Sequence, residues 1–266
     1  MSVTRAELKD IQSLLTKKGR REQHRFLAEG VRLLEEAARH RVRPELVLYA
    51  VHGTSERGKE LIDLFARDKV RIEEISAKQL EQVSDTETPQ GLVGMFRQPP
   101  QDLAELSTAG LRRYLLCENI SDPGNLGTLF RSALAFGFEA VLTAGQSAEP
   151  FSPKVVRSSA GTVFGVRHGV DTIDSVISYS KRQQVAIVAT GRAGAMTLAE
   201  LRKTIGKRPV MLAIGSEADG ISPLLQRAAT YIVRIDHEPE VESLNAAVAG
   251  SILMKEIYSS WTENKK

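Results

Sequence analysis

The sequence predicts an α/β protein in two parts, a smaller α/β domain followed by a larger one built on a parallel sheet. Three observations carry this. Residues 110–266 alternate apolar strand-like runs with amphipathic helical stretches, residues 1–98 do the same in a shorter space, and Pro99-Pro100 interrupts regular structure between them. A chain of 266 residues is long enough for two modest domains with real hydrophobic cores.

In the first domain, Leu8, Ile11, Leu14 and Leu15 recur at helical spacing, and GVRLLEEAARHR reads as a second helix. PELVLYAV is a strand, GKELIDLFARD a helix and VRIEEIS a strand. SAKQLEQVS is a helix capped by Ser76, and GLVGMFRQ is the last strand. The predicted boundaries are 1–98 for this domain, 99–109 for a short stiff linker and 110–266 for the second domain.

The second domain repeats the pattern more cleanly. RRYLLCENI, EAVLTAG, VRHGV, QVAIVATG, PVMLAIGSE and TYIVRID are strands. The helices between them are NLGTLFRSALAFG, SPKVVRSSAGTVF, DTIDSVISYSKRQ, MTLAELRKTIG and SPLLQRAA, with SLNAAVAGSILMKEIYSSW as the longest and last. Ser152 is placed to cap its helix with Pro153 at the first helical position, and only TENKK is expected to fray. Apolar strands alternating with helices call for a parallel sheet covered on both faces.

Composition narrows the function classes. No apolar run approaches the roughly 20 residues of a membrane helix, and MSVTRAELKD has no apolar signal core, so secretion is not expected. One cysteine, Cys117, excludes an internal disulfide and a cysteine-based zinc cluster; within YLLCENI it reads as a buried small hydrophobe. A reducing, cytoplasmic setting is the expectation. The net charge of +3 is mild, but KKGRREQHR concentrates Lys17, Lys18, Arg20, Arg21 and Arg25 against Glu22. That run is either a solvated turn or a phosphate-contacting patch.

The chemistry is expected at the carboxyl ends of the strands, where open parallel sheets bind ligands. The loops there are SDPGNLG, ATGRAG, IGSEADG and DHEPEVESLN. None carries a dinucleotide fingerprint or a P-loop, and the sequence has no metalloprotease helix and no nucleophile elbow. Five scattered histidines offer no metal-ligand spacing. The features that remain have structural readings as well: Gly215 and Gly220 as turn formers, Glu217 as a solvated carboxylate, Ser243 and Asn125 as helix caps. Arg131 is harder to dismiss. Leu126, Leu129, Phe130, Ala133 and Leu134 already supply the apolar face of its helix, and it lies four residues after Gly127, a position with no side chain.

Three segments in this order, N-x-G-x-x-x-R-S-A at 125–133, I-G-S-E-x-x-G-I at 214–221 and E-S-L-N-x-A-V-A at 242–249, closely resemble the motifs of the SpoU/TrmH family. Its members are S-adenosyl-L-methionine-dependent RNA ribose 2'-O-methyltransferases. RFLAEGVRLLEEA and TPQGLVGMF more loosely resemble the L30e-like substrate-binding domain of rRNA-directed members. No membrane and no metal are already expected from the missing apolar run and the missing ligand spacing; the resemblance implies a trefoil-knotted methyltransferase domain over 110–266 and a homodimer. It implies cofactor contacts from Gly215, Ile235 and Leu244, with Ile214, Thr190 and Gly191 in second rank. It assigns the general base to Arg131, with Asn125, Glu217 and Asn245 orienting it and the ribose, Ser243 contacting substrate or cofactor, and the ribose seated over Gly127. A guanidinium normally carries only donors, so two versions stay open: Arg131 deprotonated as the base, or charged as a phosphate and oxyanion clamp. With an RNA substrate, Lys17, Lys18, Arg20, Arg21 and Arg25 become its phosphate contacts. One departure is visible: Ile235-Asp236-His237 stands where the family often has Ile-Pro-Met. The competing readings are a transfer RNA methyltransferase, a catalytically silent RNA-binding module, and a nicotinamide enzyme, the last opposed by the missing glycine fingerprint.

Overall fold

The computed structural model describes residues 3–107, 110–191 and 196–262. The chain runs α1 (Arg5–Ser13), α2 (Lys17–Gln23), β1 (Arg25–Glu29), α3 (Val31–Arg39), β2 (Leu46–Tyr49), α4 (Glu56–Arg67), β3 (Arg71–Glu74), α5 (Ala77–Gln82) and β4 (Leu92–Arg97). It continues through α6 (Leu103–Ser107), β5 (Arg113–Glu118), α7 (Pro123–Ala135), β6 (Ala140–Ala144), α8 (Pro153–Ser158) and β7 (Arg167–Val170). The last elements are α9 (Ile173–Arg182), β8 (Ala186–Thr190), α10 (Leu198–Ile205), β9 (Val210–Ile214), α11 (Pro223–Ala228), β10 (Tyr231–Val233) and α12 (Ala246–Thr262). Two compact units result: Met1–Pro99 with Glu149–Gly165, and Pro100–Ala148 with Val166–Lys266.

The first unit is a four-stranded sheet in the order β1-β4-β2-β3, with β4 antiparallel to both neighbours and β2 parallel to β3. Side chains alternate across a strand, so Leu27, Leu46, Leu48 and Val93 share a cluster with Leu8, Ile11 and Leu14. On the opposite face Phe26 and Phe96 stand opposite each other in register. Phe151 reaches Phe26 at a centroid distance of 4.6 Å, and Phe164 reaches Phe96 at 4.9 Å. By sequence position, Glu149–Gly165 falls inside the expected second domain; its apolar residues instead complete the core of the first. Periodicity tells which residues are apolar but not which core they join.

Three further differences have local causes. Residues 17–25, read as a turn or patch, hold helix α2, capped by Thr16 and ended by His24 in the left-handed region (φ 51), then the start of β1. The charged residues and Gly19 that make up most of α2 leave it no apolar stripe to betray it. The expected linker contains α6, whose Leu103 and Leu106 are buried in the core of the second unit. The helix expected over 152–164 breaks at Ala160 (φ 51) and Gly161 (φ 84) into α8 and a 3-10 turn at Thr162–Phe164. Of the TENKK tail, residues 263–266 lie outside the described residues.

The second unit is a six-stranded sheet in the order β10-β8-β9-β5-β6-β7, every pair parallel. β5, β6 and β9 are buried almost throughout, as a sheet covered on both faces requires. Helices α7 and α12 pack closely against each other at Gly250, where a Cβ would meet Leu129 Cδ2 at 2.5 Å. Ser132 and Ser251 share a hydroxyl hydrogen bond of 2.7 Å between the same helices. This packing fixes the two helices that carry the polar residues of the site. Among the described residues no helix is long and apolar enough to cross a membrane, and no cluster of His, Cys, Asp and Glu is arranged to hold a metal ion.

Candidate active site

β10, β8, β9 and β5 are consecutive neighbours, so the loops leaving their carboxyl ends open side by side. Those after β8, β9 and β10 line a cavity of about 590 Å³. Its walls include Thr190, Gly191, Ile214, Gly215, Ile235 and Leu244, the six residues expected to hold a cofactor, together with Glu217 and Ser243. Of the ATGRAG loop, Arg192, Ala193 and Gly194 lie outside the described residues. The loop after β9 doubles back tightly: Gly220 N–H donates to Ser216 O (2.9 Å), and Asp219 N–H donates to Ser216 Oγ (3.1 Å). A Cβ on Gly215 would stand 2.0 Å from Gly220 O, so this stretch of wall is bare backbone by necessity.

The polar residues converge beside that loop. Asn125 Nδ2 donates to Glu217 Oε1 (3.1 Å), and Asn245 Nδ2 donates to the same oxygen (2.6 Å) and to Asn125 Oδ1 (2.9 Å). Ala246 N–H, at the start of α12, donates to Glu217 Oε1 as well (3.3 Å). One carboxylate oxygen thus collects three donors at a helix N-terminus, where negative charge is favoured. Glu217 Oε2 has no hydrogen-bond partner among the described residues.

The structure corrects the expected caps. Asp122 caps α7, accepting Asn125 N–H at 2.8 Å, which leaves the Asn125 side chain for Glu217. Asn245, not Ser243, caps α12: its Oδ1 accepts from Ala247 and Val248 N–H at 3.0 and 3.2 Å. Helix α12 begins three residues later than expected, and Ser243 is an exposed residue of the cavity wall.

Arg131 lies on α7 six residues after Asn125, about 9 Å further along the axis. It is exposed and makes no hydrogen bond or ion pair among the described residues, while Leu129, Phe130 and Ala133 around it are buried. It does not line the cavity. Gly127 is itself buried, so the space beside Arg131 is not simply the missing side chain at that position.

The basic run divides. Lys17, Lys18 and Arg21 are exposed, Lys18 standing 3.9 Å from Glu22. Arg20 cannot serve as a phosphate contact. Its guanidinium is buried, gripping Glu149 through Nε (2.9 Å) and Nη2 (2.7 Å) and donating to Leu14 O (2.8 Å). Arg25 donates to Glu45 at 2.6 Å, and Arg97 donates to its other oxygen at 2.8 Å. Partial burial raises the Glu45 carboxyl, but hydrogen bonds from Arg97 and Arg25 bring it below its ordinary range.

Cys117 is fully buried and burial pushes its thiol up, which removes it as a nucleophile. Sequence reasoning missed His237, whose Nδ1 lies 2.8 Å from Ile235 O, and Arg234; both line the cavity. The one signal for His237 was the unusual Ile-Asp-His triplet. It also missed Glu118, buried at the end of β5, with its carboxyl aimed at the loop after β9.

Sequence and fold are similar to those of known proteins. Residues 112–255 match the SpoU rRNA Methylase family, and residues 5–94 match the MRM3-like substrate binding domain. An uncharacterized tRNA/rRNA methyltransferase of Synechocystis is 30% identical over 94% of this chain and 89% of its own. The 23S rRNA (guanosine(2553)-2'-O)-methyltransferase of Bacillus subtilis is 29% identical over 95% of this chain and 96% of its own. The AdoMet-bound rRNA methyltransferase of Sinorhizobium meliloti superposes with a TM-score of 0.82 at 29% identity, covering 96% and 95% of the two chains. With its motifs gathered at one end of a parallel sheet and its substrate-binding domain preceding them, the chain belongs to the SpoU rRNA methylase family.

Proposed function

We propose that this protein transfers the methyl group of S-adenosyl-L-methionine to a ribose 2'-hydroxyl of ribosomal RNA. The observation that carries the reading is Glu217, which belongs both to the cavity wall and to the cluster of Asn125 and Asn245. The residues present fit the cofactor. Ile214, Ile235 and Leu244 offer apolar wall to a purine and the methylenes of the methionine chain, and the Cβ-free backbone at Gly215 allows close approach.

The cofactor brings a methyl group already activated by its sulfonium charge. The protein's task is alignment and one proton. Asn125, Asn245 and the α12 N-terminus hold Glu217 through Oε1, leaving Oε2 to take the proton that the ribose hydroxyl gives up. Arg131 is exposed, and an arginine in water presents five donors and no acceptor. This favours the clamp over the base: Arg131 anchors a phosphate and stabilises the charge that develops on the attacking oxygen. Ser243, on the cavity wall, is within the region where ribose and cofactor meet.

The named relatives favour ribosomal over transfer RNA. One is called a 23S rRNA guanosine 2'-O-methyltransferase, and another, from Streptomyces viridochromogenes, a 23S rRNA uridine 2'-O-methyltransferase. The reading extends to a cytoplasmic protein, to a knotted path of the C-terminal backbone and to a homodimer. On α12, Ala247, Leu253 and Ile257 are buried in the core while Val248 is 49% exposed, an apolar residue left over for a second copy. Lys17, Lys18 and Arg21 serve the RNA backbone. Calorimetry tests the cofactor: S-adenosylhomocysteine should bind and NAD should not. Binding of NAD alone would restore the nicotinamide reading.

A further inference from the structure

We propose that Glu118 is a positioning residue for the transfer, resting on the reading just given: it fixes the loop that presents Glu217. Glu118 ends β5, and its carboxyl is buried, with 2% of the residue exposed. Burying a carboxyl is costly unless it is hydrogen-bonded, and its partner is Ser222 N–H, which donates to Oε2 at 2.7 Å. Ser222 is the residue at which the loop after β9 closes, immediately after Gly220 and Ile221 of the cavity wall.

The loop is therefore tied at both ends. Its entry is held by the β5–β9 ladder, where Cys117 pairs with Ile214. Its exit is held by Glu118, the next residue of the same strand. Between the two ties the Ser216–Gly220 turn carries Glu217 at its tip, toward Asn125. Asn125 follows Glu118 by seven residues, so β5 and the segment after it reach the same loop twice, through Glu118 at Ser222 and through Asn125 at Glu217. The end of β5 is itself stiff: Asn119 is left-handed (φ 56), its Oδ1 accepts Gln146 N–H (2.8 Å), and Ile120 N–H donates to Ser147 Oγ (3.1 Å). Rigid supporting interactions of this kind set how closely a catalytic group keeps its position.

The experiment compares Glu118→Gln, Glu118→Asp and Glu118→Ala in the full chain, each alone and combined with Glu217→Gln. Glutamine keeps an acceptor at the same reach and should stay within about threefold of wild type in kcat and in S-adenosylhomocysteine affinity. Aspartate, one methylene short, and alanine should each lose the tie. Both should lower kcat by about tenfold or more and weaken S-adenosylhomocysteine binding. In the Glu217→Gln background most of the kcat loss should vanish, because the group being positioned is already gone. A fully additive loss, or wild-type kcat and affinity in the aspartate variant, overturns the proposal. Should the alanine variant fail to fold, the aspartate and glutamine pair still decides. A wild-type protein that binds no S-adenosylhomocysteine overturns the functional reading and this inference together, whereas binding with no effect of the variants overturns this inference alone.

Discussion

Arg131, Asn245 and Arg20 look alike in a sequence, as polar residues without an evident partner, and the structure gives each a different task. Arg131 is exposed on α7 with no partner among the described residues, so Arg131→Ala opens no core cavity and should change stability by less than roughly 0.5 kcal/mol. Methyl transfer should be lost. Arg131→Lys separates the two roles, since lysine keeps the cation but not the planar fork. A clamp predicts a raised RNA KM with an unchanged pH profile, whereas activity rising steeply with pH would mark a base. Asn245 is a poor helix former, and its task explains its place. It caps α12 and donates to Glu217, so Asn245→Ala should cost about 1 kcal/mol of stability in thermal unfolding and a larger share of activity. Arg20 is the opposite case. Charge alone could not distinguish it from Lys17 or Arg21, because its partner Glu149 lies 129 positions away in the chain. Arg20→Ala leaves a largely buried carboxylate unpaired and should destabilise by about 3 kcal/mol in denaturant titration.

At the scale of elements, the longer helices and every strand but β1 were legible because each carries its own apolar run, and caps such as Ser76 and Ser152 stand where expected. β1, five residues directly after the basic run, was not legible as a strand. Nor was helix α2, since it is short and polar on all sides. The allegiance of α8 was invisible for a different reason. Phe151, Val155, Val156 and Phe164 have the same composition whichever core they join, and only the fold shows Phe151 and Phe164 completing the aromatic cluster of Phe26 and Phe96. A fragment ending at Pro99 should therefore lack part of its own core and fail to unfold cooperatively in calorimetry. In the full chain, Phe151→Ala should cost about 3–5 kcal/mol. A fragment of residues 1–99 with a sharp, wild-type-like transition would contradict this assignment.

For the whole molecule, the four loops named from the sequence do open side by side, because β10, β8, β9 and β5 are neighbours in the sheet. Three segments spread along the second half of the chain could be read as one site only through their resemblance to a family; no local rule brings Asn125, Glu217 and Asn245 together. The mild net charge of +3 is likewise no guide to an RNA partner. Neutralising Lys17, Lys18 and Arg21 should weaken RNA binding, with cofactor affinity unchanged. The salt dependence should flatten by about one unit of slope for each phosphate no longer neutralised. Sedimentation at micromolar concentration should show a dimer. The decisive experiment is transfer of a labelled methyl group from S-adenosyl-L-methionine to ribosomal RNA, followed by mapping of the modified nucleotide. Wild-type protein should place the label on a single ribose 2'-oxygen, and Arg131→Ala should place none while still binding S-adenosylhomocysteine. Label on a base, or near-normal transfer by the alanine variant, would contradict the account.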